Sequence, residues 1–216
     1  MTPSPDRSAA ALADPAVERF DLRDGRTVTV RAVRATDEPV IEEFLDGLSL
    51  ATRRMRFFTA CCNLREQAHR AASADGAKHF GLLAVDDRDR VVGHACYVRA
   101  GPRRAEVAVE VADVLHHLGL GTHLVARLAE LAACHGIERF FAEVLPENHE
   151  MLTVFHDGFA STQQQVDGVV EVEFPTANWL LAPAGTAGTV GTVGTVGPVG
   201  PVGTVGTVGT VGTVGT

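Results

Sequence analysis

The stretch that decides the fold is AEVAVEVADVLHHLGLGTHLVARLAELAAC, residues 105–134. Residues 105–111 are rich in valine with a period of two, which predicts a β-strand. From residue 119 to 134 the pattern changes, and leucines at 120, 124, 128 and 131 follow the spacing of one helix face. Gly119 and Gly121 stand where the two patterns meet. The stretch therefore predicts a strand, a glycine-containing turn and a helix in direct succession.

A glycine-containing turn at the start of a helix has a definite chemistry. The first four backbone N–H groups of a helix have no partner within it, and the helix dipole places its positive end there. Glycines let a ligand come close to this backbone, so a pyrophosphate can bind without a basic side chain. The pair is not a Walker loop, because no Gly-Lys-Ser/Thr follows. Two glycines by themselves are also compatible with a simple tight turn.

The rest of the chain alternates strand and helix patterns. Strands are predicted at 26–33, 80–85, 91–98, 105–111 and 139–145, with two more between 158 and 175. Helices are predicted from 36, from 49 to 56, over 119–134 and over 148–157, with a further helical stretch at 64–74. The order β-α-α-β-β-β-α-β-α-β-β predicts an α+β fold, a mixed and mostly antiparallel single sheet with helices on both faces.

The composition changes at both ends of the 216 residues. Residues 1–17 are rich in Pro, Ser, Ala and Asp, which predicts a disordered N-terminal segment. Gly-Thr-Val repeats fill the chain from 185 onward, without a single charged residue. We expect residues 183–216 to form a disordered low-complexity tail. One domain at 18–182 lies between these segments.

Charge and cysteine content exclude several classes of function. The 27 acidic and 19 basic residues give a net charge of −8, which argues against nucleic-acid binding. We find no apolar run of 18 residues and no signal peptide, so we expect no membrane association. The four cysteines form no CxxC pair, which predicts reduced thiols, a cytoplasmic location and no metal site. Monomer and homodimer are both compatible with the sequence.

Residues 116–121, HHLGLG, resemble a known motif. The motif is Gln/Arg-x-x-Gly-x-Gly/Ala, which binds acyl-CoA in the GNAT superfamily, the Gcn-related N-acetyltransferases. Residues 28–37 resemble the superfamily's first strand and helix entry, and residues 144–159 resemble its fourth-helix motif. Residues 47–58 resemble a segment of the protein-lysine acetyltransferase (Pat-like) branch. The resemblance spans 26–176 in the right order and implies a GNAT-like fold.

The resemblance implies a binding site for acetyl-CoA as cosubstrate, without a metal. The pantetheine arm would pair with the backbone of Val109 and Val111. Asn148 resembles an asparagine that touches the CoA arm, although it is also a plain helix N-cap. The pyrophosphate would rest on the backbone N–H groups of the turn, those of His117, Leu118, Gly119, Leu120, Gly121 and Thr122.

The implied reaction is acetyl transfer to a primary amine by direct attack in a ternary complex. A lysine amine with pKa ~10.4 must lose a proton first, which costs about 4.6 kcal/mol at pH 7. Glu106 and Glu110 are candidate general bases, since residues four apart on a strand share a face. The resemblance to the lysine-acetylating branch favours Glu106. Both are also compatible with solvent-facing strand positions.

The sequence departs from the family pattern at several positions. His116 replaces the usual Gln or Arg, and Leu118 stands where a basic residue is frequent. Phe155 lies near the place of the tyrosine that is often proposed to protonate the leaving thiolate. A protein lysine is the preferred acceptor because of the branch resemblance. A small-molecule amine, or a catalytically degenerate acyl-CoA-binding regulatory module, remains the alternative.

Overall fold

The computed structural model describes residues 17–177. The predicted repeat tail and nearly all of the predicted N-terminal segment therefore lie outside the described residues. The described chain forms one eight-stranded sheet with the strand order β1-β2-β3-β4-β5-β6-β8-β7. Only β5 and β6 pair in parallel, and every other neighbouring pair is antiparallel. The predicted α+β class with a mixed, mostly antiparallel sheet is confirmed.

The strands and helices have the following bounds. The strands are β1 Glu18–Asp21, β2 Thr27–Ala32, β3 His79–Val85, β4 Val91–Arg99, β5 Arg104–Val111, β6 Arg139–Val144, β7 Thr162–Val166 and β8 Val169–Pro175. The helices are α1 Glu38–Gly47, α2 Leu50–Phe57, α3 Leu64–Ala72, α4 Leu120–Cys134 and α5 His149–Phe159. None of these helices has the length and apolar content that crossing a membrane requires.

Two hydrophobic clusters cover the two faces of the sheet. On one face α4 and α5 pack on the strands, and Leu120, Leu124 and Leu128 are almost completely buried. On the other face α1, α2 and α3 enclose a smaller cluster that includes Leu83. The neighbouring Leu82 belongs to the first cluster, because successive strand residues point to opposite faces. The prediction of helices on both faces is confirmed.

Two features near the N-terminus differ from the sequence prediction. Strand β1 was not predicted, and it pairs with β2 through the Asp24–Gly25 turn. Helix α1 begins at Glu38, two residues later than expected, after a 3₁₀ turn at Ala35–Asp37. Asp37 does not cap α1 with its side chain, because its carboxylate accepts hydrogen bonds from the Arg31 guanidinium at 2.7 and 2.8 Å.

Strands β5 and β6 separate soon after they meet. Their parallel register holds only at Arg104–Arg139, Ala105–Phe140 and Glu106–Phe141. Beyond this point β5 stays paired with β4, and β6 stays paired with β8. The two strands therefore diverge after Glu106. We call the space between residues 107–111 and 142–144 the β5–β6 gap.

Candidate active site

The backbone of β5 presents an unpaired edge to the β5–β6 gap. Ala100 donates its N–H to Arg104 O and Ala112 donates to Val92 O, so the even-numbered residues of β5 hydrogen-bond to β4. The N–H and C=O groups of Val107, Val109 and Val111 consequently face the gap. The structure thus brings the predicted pantetheine-binding residues Val109 and Val111 to an edge that no strand within residues 17–177 covers.

His116 occupies part of this edge. Its Nε2 lies 3.0 Å from the carbonyl oxygen of Val111, within hydrogen-bonding distance. His116, which stands where the family motif has Gln or Arg, therefore donates a hydrogen bond to the carbonyl oxygen of Val111, the last residue of β5. Val107 and Val109 keep their backbone groups directed into the gap, so the edge open to a ligand is shorter than the one predicted.

The turn before α4 has the geometry of an anion-binding loop. Gly119 is the N-cap of α4 with φ 88°, a conformation that favours glycine, and no side chain caps this helix end. The first α4 hydrogen bond runs from His123 N–H to Gly119 O at 3.1 Å. The N–H groups of Leu120, Gly121 and Thr122 therefore stand at the uncapped, positive end of the helix. His117 precedes them, also with a positive φ of 64°.

Arg23 also lies beside this turn, a position that no local pattern in the sequence indicates. Arg23 belongs to the β1–β2 connection, and its backbone N–H donates to Leu118 O at 3.3 Å. Its guanidinium donates to His117 O at 3.3 Å. The guanidinium Nε is 3.7 Å from the position that a Cβ on Gly119 would occupy. Arg23 thus supplies a positive charge near the position where Leu118 replaces a basic residue.

Asn148 is the N-cap of α5. Its Oδ1 accepts a hydrogen bond from Met151 N–H at 3.2 Å, and the residue is buried. The structure therefore bears out the capping geometry. Contact with a CoA arm stays a prediction.

Glu106 and Glu110 lie on the same face of the sheet, as their spacing predicted. Their partners on β4 are Val98 and His94. Glu106 is half-buried and sits in the last row that β5 shares with β6, where the gap begins. Glu110 is almost completely buried and lies four residues further along β5.

Glu110 is the centre of a buried charged network. Its Oε2 accepts a hydrogen bond from Arg56 Nε at 2.7 Å, and its Oε1 lies 2.7 Å from His94 Nδ1. Burial alone would raise the pKa of Glu110, but the charge of Arg56, the charge of His94 when it is protonated, and the hydrogen bonds of both residues outweigh it and lower the pKa to about 2. Such a carboxylate is a poor proton acceptor at neutral pH. The geometry therefore favours Glu106 as the base.

A cavity of 320 Å³ adjoins this network between the sheet and helices α1, α2 and α3. Its walls are mainly apolar, and Val98, the partner of Glu106, is one of them. The polar groups of its lining include His79, His94 and Glu110, while Lys78 is the exposed residue next to His79. The cavity has the volume and lining to hold an aliphatic chain that ends in a polar group.

Neither Phe155, which has no acidic proton, nor Tyr97 lies on the cavity side of the sheet. Phe155 is fully buried and packs on Phe159 and Phe174, with ring centroids 6.2 and 5.0 Å away. The chain's single tyrosine, Tyr97, belongs to the same hydrophobic cluster, on the α4–α5 face of the sheet, and its hydroxyl lies 2.7 Å from His135 Nδ1. Burial raises the pKa of Tyr97 to about 12.

Comparison with known proteins agrees with this geometry. The profile of the Acetyltransferase (GNAT) family matches residues 48–159. The acetyltransferase PA5475 of Pseudomonas aeruginosa is 30% identical over 148 residues, which are 66% of this chain and 78% of that protein.

Two solved structures show the same fold. The GNAT domain of S. lividans PAT is 32% identical, with a TM-score of 0.69 over 74% of this chain and 98% of that domain. The spermidine N-acetyltransferase of Vibrio cholerae, solved with CoA and spermine, shares the fold at 14% identity, with a TM-score of 0.57 over 71% of this chain and 98% of that one. The chain therefore belongs to the GNAT family and is an N-acetyltransferase.

Proposed function

We propose that the protein transfers an acetyl group from acetyl-CoA to the side-chain amine of a protein lysine in the cytoplasm. The observation that carries this proposal is the β5–β6 gap, which connects the uncapped start of α4 to Glu106. A cosubstrate lying in the gap would have its phosphates at one end and its thioester near a carboxylate at the other. The cavity behind Val98 would bring the acceptor from the α1–α3 face.

The cofactor site uses backbone groups and one side-chain cation. The pantetheine amides would pair with the edge of β5 at Val109 and at the N–H of Val111, since His116 already takes the Val111 carbonyl. The pyrophosphate would bind the N–H groups of residues 117–122 at the positive end of α4. Arg23 would add a charge-assisted hydrogen bond to the phosphates. Asn148 would hold the start of α5 on the other side of the gap.

Glu106 would prepare the amine for attack. One N–H bond of the ammonium breaks, the proton moves to the Glu106 carboxylate directly or through a water molecule, and the electron pair stays on nitrogen. The neutral amine attacks the thioester carbonyl and forms the carbon–nitrogen bond. The nitrogen then loses a second proton to water, and the carbon–sulfur bond breaks with its electron pair staying on sulfur. The departing thiolate takes a proton from water, because Phe155 has no proton to give.

The acceptor is proposed from the likeness to the PAT domain and from the form of the cavity. The apolar walls suit the four-carbon stem of lysine, and the polar residues suit its nitrogen. The similarity to the PAT domain covers nearly the whole of that domain at 32% identity.

The test combines calorimetry with acetyl-CoA and a CoA-release assay over a panel of lysine peptides, polyamines and amino acids. We expect binding, and release that is fastest with lysine peptides. Lys78 is the chain's single lysine, so Lys78→Arg removes the background of lysine self-acetylation. Fastest release with a small amine would overturn the lysine acceptor. Binding without release on any acceptor would identify an acyl-CoA-binding module instead of an enzyme of this specificity.

A further inference from the structure

Two imidazole nitrogens of the residues that line the cavity are left without a partner. Nε2 of His94 and Nε2 of His79 are buried and have no hydrogen-bond partner among the residues that the structure describes. His94 is only 1% exposed, and both residues line the cavity. Buried polar atoms in folded proteins are nearly always hydrogen-bonded, so an unpartnered one next to a cavity points to a ligand.

The hydrogen bonds around His94 determine which of its nitrogens carries the proton. Glu110 is ionised and can only accept, so His94 Nδ1 donates to it over 2.7 Å. Arg56 binds the other oxygen of Glu110 and keeps the carboxylate in place. A neutral His94 therefore carries its proton on Nδ1 and a lone pair on Nε2. In this neutral form His94 brings a hydrogen-bond acceptor to the lining of the cavity.

We propose that this cavity binds a primary amine on an unbranched aliphatic chain, and that His94 Nε2 accepts a hydrogen bond from the amine nitrogen. Glu110 and Arg56 are positioning residues for His94. The aliphatic chain would pack on the apolar walls at Leu45, Phe57 and Val98. The inference rests on the proposed function, since it concerns the same acceptor, and it adds the group that selects the amine.

The other charged and titratable groups around the cavity leave this acceptor undisturbed. Burial, followed by the charge that His94 carries when it is protonated, lowers the pKa of His79 to about 4, so His79 is neutral at pH 7. Burial raises the pKa of the Cys96 thiol to about 12, so it is neutral as well. The remaining titratable residues of the lining are exposed. On α3, His69 pairs with Glu38 and Arg70 pairs with Glu66, and Lys78 lies just before β3.

Two substitutions separate the roles of the two nitrogens. In His94→Asn the side-chain amide can still donate to Glu110 from the place of Nδ1, but the atom at the place of Nε2 is gone. In His94→Gln the amide reaches the place of Nε2. The probe is n-butylamine, which has the four-carbon chain of lysine, titrated with and without CoA and followed by ¹⁵N NMR of the imidazoles.

We expect the free protein to show Nδ1 of His94 protonated and Nε2 unprotonated, and the Nε2 signal to move as butylamine binds. His94→Asn should weaken butylamine binding about tenfold, as expected for one lost buried hydrogen bond, and His94→Gln should recover part of the loss. The affinity for acetyl-CoA, measured by calorimetry, should stay at the wild-type value in both variants.

Three results would overturn the inference: a proton on Nε2 in the free wild-type protein, no butylamine binding to that protein, or equal binding by folded His94→Asn. The first two need no variant, so a variant that fails to fold does not prevent the test. A wild-type protein that acetylates lysine peptides while His94→Asn binds butylamine equally well would refute this site alone. Butylamine binding that depends on His94, without CoA release on any amine, would refute the proposed function alone.

Discussion

Replacing Glu110 by glutamine should destabilise the protein in a pH-dependent way. The substitution keeps the shape of the side chain but removes the charge between Arg56 and His94. Arg56, with only 5% of its side chain exposed, then loses the carboxylate that its Nε contacts at 2.7 Å. Breaking a buried ion pair from one side costs about 3–5 kcal/mol.

The pKa of Glu110 gives the size of this loss of stability independently. Its value in the folded protein is about 2, against 4.5 for an unperturbed side chain. A difference of about 2.5 units at 1.36 kcal/mol each corresponds to about 3 kcal/mol. Because the folded-state pKa is the lower one, this stabilisation is complete above pH 4.5 and is lost as the pH falls towards 2. The cost of breaking the ion pair and the free energy from the pKa difference therefore agree at about 3 kcal/mol.

The assay is urea unfolding of wild type and Glu110→Gln from pH 7 to pH 3. The free energy of unfolding should be about 3 kcal/mol lower in the variant at pH 7, and this difference should shrink by about 2 kcal/mol at pH 3. Glu147→Gln is the matched control, because Glu147 pairs with Arg54 on the surface. That variant should lie within about 1 kcal/mol of wild type at every pH.

A difference between wild type and Glu110→Gln that stays constant from pH 7 to pH 3 would refute the titration argument. A variant as stable as the control at pH 7 would refute the assignment of Glu110 to a structural network. In that case Glu110 would return as a candidate base.

The remaining predictions concern turnover and cofactor binding. Glu106→Gln should lower turnover by about 10²–10³-fold at pH 7 and leave acetyl-CoA affinity unchanged, and much of the rate should return at high pH, where solvent supplies neutral amine. Wild-type rates in this variant across pH 6–9 would exclude Glu106 as the base. Gly121→Glu should abolish acetyl-CoA binding in calorimetry, since a carboxylate adds bulk and like charge where the pyrophosphate approaches. Circular dichroism checks the fold, and unchanged affinity in a folded variant would contradict the phosphate site. Arg23→Ala should weaken acetyl-CoA binding about tenfold, most strongly at low salt. Arg26→Ala is the control and should not weaken it, because Asp24 holds the Arg26 guanidinium at 2.7 Å. Equal effects of the two substitutions would show that only net charge matters.

The parts of the fold that the sequence predicts are those that local pattern determines. The valines of β5 and the leucines of α4 repeat with periods of their own element, so their positions follow without knowledge of any neighbour. Strand β1 has four residues, of which only Phe20 is apolar. Phe20 stacks on His123 with ring centroids 3.9 Å apart. A contact between residues so far apart in sequence leaves no local pattern, and β1 was missed for this reason.

The same distinction applies to the site. The glycine turn and the shared face of Glu106 and Glu110 follow from spacing, and the structure has both. The different environments of the two glutamates do not follow from spacing. They arise because Glu110 lies opposite His94 and beneath Arg56, which is 54 residues away in the chain. An arginine within an amphipathic helix pattern reads as a surface residue, and only the packing of α2 on the sheet makes Arg56 an internal one.

The short contact between β5 and β6 also affects how well the folded protein resists proteolysis. In the described sheet β5 and β6 share only three register positions, next to which the Arg103 carbonyl accepts hydrogen bonds from the N–H groups of Glu138 and Arg139. A cosubstrate in the gap would act as the missing length of strand, binding only the folded state. Such binding raises stability by RT ln(1 + [L]/Kd), about 2.7 kcal/mol at a hundredfold excess over Kd. With the proposed cosubstrate, resistance to proteolysis would then rise and fall with the supply of acetyl-CoA, so that the abundance of the protein follows the metabolite it consumes.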